Sequence, residues 1–158
     1  MQIWPQPDAR RDAADGGAQP AGAVRPRPVL IVDDDPVSRS VIEMRLDVLR
    51  LVNPRVTARD GDEAIDVPTR WVADGDPLPA LVLLDGQMPG TSELGVLAWM
   101  RDHPGLRDIP VVLLAGDSDR DAIRATYAAG ATCYLVKPVG FSALADVLRG
   151  LEAPWALT

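Results

Sequence analysis

The chain has 158 residues, the size of one ordinary domain, with 47% hydrophobic and 25% charged residues. That balance excludes collagen, coiled-coil and wholly disordered architectures, and no apolar run approaches the ~18 residues of a membrane span. The formal net charge of −7 disfavours nucleic acid, whose affinity rests on neutralising phosphates, so a protein or small-ion partner is expected, with no nucleic acid and no membrane.

Residues 1–27 read as a disordered N-terminal extension, rich in Pro, Ala, Gly, Arg and Asp, in which Ile3, Trp4 and Val24 show no period. From Pro28 the texture changes, and one ordered domain is expected over 28–152, with a short tail at 153–158. Val29–Val32 is the first of four solid apolar runs; the others are Leu81–Leu84, Val111–Leu114 and Cys133–Val136. Solid rather than alternating runs read as strands buried on both faces of a parallel sheet. Arg55–Ala58 is weaker and reads as an edge strand.

Helical patterns separate the runs. Asp35-Pro36 opens the first, Asp as N-cap and Pro at the first helical position, with Val37, Val41, Met44, Leu46, Val48 and Leu49 as its apolar face. The second covers about 61–72, and Pro68 predicts a kink or early stop. Ser92 can cap the third, which carries Leu94, Leu97, Ala98 and Met100. Asp119 or Ser118 can cap the fourth, with Ala122, Ile123, Tyr127 and Ala128, closed by Gly130. The fifth covers about 141–151. Strict alternation of strand and helix predicts an α/β fold, a doubly wound, five-stranded parallel sheet with right-handed crossovers.

Sites in such sheets form beyond the carboxyl ends of the strands. There the sequence places Asp33, Asp34 and Asp35, then Asp85, then Ala115-Gly116-Asp117, then Lys137-Pro138. Of the 16 basic residues, Lys137 is the only lysine, and an ammonium is not interchangeable with a guanidinium at a tight site. Clustered carboxylates repel unless a cation joins them, and a hard ion such as Mg²⁺ suits oxygen ligands. A carboxylate beside Mg²⁺ and a Lys is set up to accept a phosphoryl group as an acyl phosphate. Lys137 is expected to pair with Asp85 or with an anion that Asp85 acquires. Asp35 reads as a helix cap. Cys133 has no partner for an internal disulfide and, with His103 as the only histidine, cannot build a zinc site. Both look structural, and a cytoplasmic, reducing setting is expected.

The arrangement resembles the response-regulator receiver domains of two-component signalling. Leu30-Ile-Val-Asp-Asp-Asp-Pro36 resembles the acidic-pair motif, Leu83-Leu-Asp-Gly-Gln-Met-Pro-Gly90 the phosphoacceptor motif and Val136-Lys-Pro138 the Lys-Pro motif. The resemblance covers about 28–151 and implies a flavodoxin-like receiver fold. It implies Asp85 as phosphoacceptor, and Asp33 and Asp34 as the acidic pair, with Mg²⁺ held by Asp33, Asp34, Asp85 and the Gln87 backbone carbonyl. It also implies Lys137 as the phosphoryl-binding group, a cis peptide before Pro138 and Tyr134 as the switch aromatic. The donor would be a histidine kinase or a phosphotransfer protein. No output domain is expected, so the signal would leave by protein contact or onward phosphotransfer. Such a receiver labels once and slowly loses its phosphoryl group; it is not a turnover enzyme.

Tyr127-Ala-Ala-Gly-Ala-Thr-Cys-Tyr-Leu-Val-Lys-Pro-Val139, Ala73–Ala80 and Trp155 look like single-domain receivers that partner phytochrome-type histidine kinases. That implies a homodimer through the fourth helix, fifth strand and fifth helix, with Tyr127, Leu144, Leu148, Leu151 and Trp155 as its apolar residues. Two departures stand out. Ala115 occupies the usual Ser/Thr position, and Ser92-Glu93 replaces the usual Asp-Gly. The first departure favours an alternative, a receiver-like module that binds without being phosphorylated. Asp33-Asp-Asp-Pro-Val37 also fits the motif of haloacid-dehalogenase-type phosphatases, with Asp33 as nucleophile and Asp35 as general acid.

Overall fold

A computed structural model describes residues 26–116 and 119–151. The expectations placed on residues 1–25, on Asp117 and Ser118, and on 152–158 with Trp155 lie outside the described residues. The elements are β1 (Val29–Val32), α1 (Pro36–Val48), β2 (Arg55–Ala58), α2 (Gly61–Asp74), β3 (Leu81–Asp85), α3 (Glu93–Asp102), β4 (Val111–Ala115), α4 (Arg120–Ala128), β5 (Cys133–Val136) and α5 (Phe141–Gly150). The strands form one parallel sheet in the order β2-β1-β3-β4-β5. This is the flavodoxin-like doubly wound order.

Alternate residues of each central strand feed opposite layers. Leu30, Val32, Val82, Leu84, Val111 and Leu113 pack with Ala64, Val67 and Trp71 of α2 and with Val96, Leu97 and Met100 of α3. Val29, Ile31, Leu81, Leu83, Val112 and Leu114 pack with Ile42 and Leu46 of α1 and Leu144 and Leu148 of α5. Burial on both faces is why β1, β3 and β4 have no polar alternation. Each fully buried Leu or Ile contributes roughly 1.5–3 kcal/mol against exposure.

Four expectations change. The Cys133–Val136 run reads like the central strands, but β5 is an edge strand: Cys133, Tyr134 and Leu135 are half-buried and Val136 is exposed. The helix period of α1 turns Ile42 and Leu46 inward, leaving Val37, Met44 and Val48 exposed, so the apolar face read from the sequence divides in two. In the fifth helix Leu144 and Leu148 are 0% and 6% exposed and belong to the core, so they are not available to a dimer partner, whereas Tyr127 is exposed.

Pro68 neither stops nor ends its helix, which continues to Asp74. It removes one N–H from the helix ladder, but α2 buries Gly61, Ala64, Val67, Pro68 and Trp71 on one face. That packing outweighs the cost of an interior Pro, about 3 kcal/mol. Capping follows the sequence elsewhere. Asp35 accepts from Val37 N, Ser92 from Gly95 N and Asp119 from Asp121 N, and Gly130 takes positive φ after α4. No helix among the described residues is long and apolar enough to cross a membrane.

Candidate functional site

Because the strands run parallel and in register, their carboxyl ends meet at one edge of the sheet. Asp33 and Asp34 follow β1, and Asp85 ends the neighbouring β3. Carboxylate oxygens of Asp33, Asp34 and Asp85 all lie within 4.8 Å of one another; Asp33 and Asp85 are buried and Asp34 is exposed. Lys137, just past β5, reaches over this cluster. Its Nζ is 3.1 Å from Asp33 Oδ2 and 3.2 Å from Asp85 Oδ1. Lys137 therefore joins two carboxylates, where the sequence suggested a pair with Asp85 or with an anion that Asp85 acquires.

Asp33 is the better-satisfied acid. Its Oδ1 accepts the Asp35 N–H at 2.9 Å, its Oδ2 accepts from Lys137 Nζ at 3.1 Å, and the Ser38 hydroxyl hydrogen-bonds to the carboxylate as well. Burial pushes its carboxyl up, but these hydrogen bonds and the lysine's charge prevail, and its pKa lies below the ordinary value. Asp85 goes the other way. Burial raises its pKa, the Gln87 N–H at 3.1 Å and the Lys137 charge oppose it, and Asp33 adds repulsion, so the net direction is up. The two acids also hold Lys137 above its ordinary value, against the effect of its own burial.

The pair thus divides its roles physically. Asp33 is a fixed, ionised anchor; Asp85 is the less satisfied carboxylate, with partners only on Oδ1 among the bonds described. Three carboxylates against one ammonium leave excess negative charge, and an all-oxygen donor set of this kind fits a hard divalent ion such as Mg²⁺.

The phosphatase reading does not fit this geometry. Asp33 has no exposed side-chain surface and is held by three donors, and Asp35 is spent on capping α1. Ser38 is the residue that sequence reasoning missed. The signal was available: Ser38 is a hydroxyl in the first turn of a helix that starts directly after the acidic run.

The remaining motif residues are placed as follows. Ala115 ends β4, is 7% exposed, and its carbonyl accepts the Lys137 N–H at 2.7 Å. Tyr134 is half-buried and packs on the layer that contains α2 and α3. The Lys137–Pro138 peptide is cis. Gln87 is exposed on the loop after Asp85. His103 caps α3 and its Nδ1 accepts the Gly105 N–H, a structural role.

The comparisons agree with this geometry. A family model for the response regulator receiver domain matches residues 29–149. Response regulator Rcp1 of Synechocystis is 28% identical over 134 residues, 84% of this chain and 91% of that one. Among solved structures, the bacteriophytochrome response regulator AtBRR aligns with a TM-score of 0.74 at 33% identity, covering 85% of this chain and 99% of its own. A Mn²⁺-bound form of Rcp1 aligns with a TM-score of 0.65 at 28% identity, covering 80% and 92%. A family match spanning the whole sheet, with both acids and the lysine at its carboxyl edge, leaves one conclusion: the chain belongs to the response-regulator receiver domains of two-component signalling.

Proposed function

We propose that the protein accepts a phosphoryl group on Asp85 from a histidine kinase or phosphotransfer protein, in a Mg²⁺-dependent reaction, and signals through protein contacts. The observation that supports it best is the position of Lys137 Nζ, 3.2 Å from Asp85 and 3.1 Å from Asp33. An Asp85 oxygen attacks the donor's phosphorus; the bond to the donor nitrogen breaks, and the donor leaves with that electron pair. Lys137 then pairs with a phosphoryl oxygen while Asp33 keeps it oriented. Asp33, Asp34, Asp85 and the Gln87 carbonyl are the groups that would hold Mg²⁺, which when bound neutralises charge on the phosphoryl oxygens.

The donor is expected to dock on α1. Val37, Met44 and Val48 leave an exposed apolar strip there. Beside it, a cavity of about 310 Å³ is lined by Ser38, Val41, Ile42, Arg45, Lys137, Pro138 and Val139. Docking at this groove brings a donor group to the lysine end of the site. The likeness to bacteriophytochrome response regulators supports a phytochrome-type kinase as that donor. On α4, β5 and α5 the large exposed apolar side chains are Tyr127, Val136 and Phe141, and self-association there would rest on them.

The deciding experiment is incubation with acetyl phosphate and Mg²⁺, followed by intact mass. One added phosphoryl group is expected in wild type, none in Asp85→Asn and none in EDTA. Labelling of Asp85→Asn at the wild-type level would refute the assignment. No labelling of wild type would leave a module that binds unphosphorylated, as Ala115 would favour.

A further inference from the structure

The loop that follows Asp85 is held from outside the acidic cluster. Gly86–Ser92 connects β3 to α3 and carries Gln87. At its near end, Gly86 N–H donates to Leu114 O at 2.8 Å and Gln87 N–H to Asp85 Oδ1 at 3.1 Å. At its far end it is tied to α2. Thr91 Oγ1 donates to Asp62 Oδ1 at 2.6 Å, and the Thr91 N–H donates to the same oxygen at 3.2 Å.

The surrounding residues are shaped for this tie. A Cβ on Gly61 would sit 1.8 Å from the Thr91 carbonyl oxygen, so any side chain at 61 would displace the loop. Gly90 has φ +82, and a Cβ there would meet Asp62 Oδ2 at 2.9 Å. Two glycines, one on each side of the junction, thus allow the loop backbone to lie directly on the first turn of α2. Asp62 itself is exposed and lies in that first turn, where a carboxylate is also favoured by the helix dipole.

We infer that Asp62 is a positioning residue for the Asp85 site: by holding Thr91 it fixes the loop that presents the Gln87 carbonyl to the metal. This rests on the proposed role of that carbonyl in holding Mg²⁺. The junction connects two facts that the phosphoacceptor reading leaves separate. One is the carboxylate at 62, which is not a member of the acidic cluster and bonds Thr91 instead. The other is the departure at Ser92-Glu93, where Ser92 caps α3 and leaves the loop's restraint to its neighbour Thr91. Outer partners that orient a metal's ligands typically change affinity 10–100-fold when removed. Asp62 acts through one flexible loop, so the lower end of that range applies.

Three variants separate positioning from bulk stability. Asp62→Ala removes the acceptor, Asp62→Asn keeps an acceptor oxygen, and Gly61→Ala pushes the loop away while leaving Asp62 intact. Amide hydrogen exchange is measured on the metal-free proteins, and Mg²⁺ is titrated by calorimetry. Asp62→Ala should speed exchange at Met88, Gly90 and Thr91 and weaken Mg²⁺ binding roughly 10-fold. Asp62→Asn should restore most of both, and Gly61→Ala should resemble Asp62→Ala. The unfolding midpoint of Asp62→Ala should stay near wild type, because the lost hydrogen bonds are exposed. If wild type binds no Mg²⁺, the reading of the site fails and this inference with it. If wild type binds Mg²⁺ and Asp62→Ala binds it as tightly, the inference alone fails. Equal weakening in Asp62→Ala and Asp62→Asn with a lowered midpoint would also overturn it, as a purely structural role.

Discussion

The Lys137 ammonium lies 3.1 Å from the Asp33 carboxylate, whose side chain has no exposed surface, while the lysine keeps 24% exposure. Their contact spans four adjacent strands, from the end of β1 to the end of β5. Removing the lysine should strand a buried carboxylate beside two others. Lys137→Met is therefore expected to lower the stability of the metal-free protein by about 1–3 kcal/mol. That is less than the ~3–5 kcal/mol of a fully buried broken pair, because water reaches the lysine. Adding Mg²⁺ should recover part of the loss. Urea unfolding at pH 7, with EDTA and then with Mg²⁺, measures both, and an unchanged midpoint in EDTA would show that the pair is not stabilising.

Asp85→Asn should have the opposite sign. Burial and the neighbouring Asp33 raise the Asp85 pKa above the ordinary 3.8, so ionised Asp85 opposes folding at neutral pH. Asn removes that charge at nearly constant shape, and the metal-free variant should gain about 0.5–2 kcal/mol, the usual range for relieving such sites. The advantage should shrink as pH falls through the raised pKa of Asp85 and vanish below 3.8, where wild type is protonated in both states. Asp33 contributes with the opposite sign in both proteins: its stabilisation is present above its ordinary value and lost as pH falls through its lowered pKa. Unfolding midpoints of the two proteins from pH 3 to 8 test this, and a gap that does not narrow in acid would contradict it.

How far the sequence reaches is visible in these residues. The strands β1, β3 and β4 are legible because burial on both faces removes the polar alternation, and the parallel order then places Asp33, Asp34 and Asp85 together. The run Cys133–Val136 is just as apolar, but nothing local records that no strand lies beyond it, so its exposure at the sheet edge needs the fold. The Lys137–Asp33 contact depends on a long side chain crossing neighbouring strands, which no spacing encodes. The Asp62–Thr91 tie joins residues 29 apart with no motif at either end.

Arg101 shows the same kind of hidden structural dependence, with a different outcome. Its guanidinium donates twice to Gly130 O, at 3.0 and 2.6 Å, and once each to Arg107 O and Ile109 O. It thereby joins the end of α3 to the turns before β4 and β5. Charged hydrogen bonds contribute about 1.5–3 kcal/mol. Arg101→Ala should cost about 2–3 kcal/mol on that scale, and Arg101→Lys should recover little, because an ammonium cannot span the fork. The urea midpoint checks this; full rescue by Lys would mean that charge alone suffices.

The groove beside α1 gives a test that separates the donor from the chemistry. Met44 is 52% exposed, so Met44→Asp should change stability by no more than about 0.5 kcal/mol. It places a charge on the apolar strip, and phosphotransfer from the partner kinase should fall about 10-fold, equivalent to ~1.4 kcal/mol. Labelling by acetyl phosphate, which needs no docking, should be unchanged. Equal loss with both donors would show that Met44→Asp damages the acidic site itself, and no loss with the kinase would place docking elsewhere.

Ala115 bears on what phosphorylation can do once it has happened. It ends β4 where the family usually has Ser or Thr, and its methyl offers no hydrogen bond to a phosphoryl oxygen. A hydroxyl there would donate only after that oxygen arrived, a contact of about 1.5–3 kcal/mol present in one state and absent from the other. A modification shifts a conformational equilibrium only by such differences. The wild-type protein should therefore accept the phosphoryl group yet couple it weakly to Tyr134. Ala115→Thr should enlarge the phosphorylation-dependent change around Tyr134. Room exists on one side, because Gly86 has no side chain where a Cβ would lie 3.2 Å from the Ala115 methyl. The comparison needs matched phosphorylated fractions, followed by Tyr134 NMR shifts and by sedimentation. A full two-state shift in wild type, with nothing added by Ala115→Thr, would mean that another group already makes the missing contact.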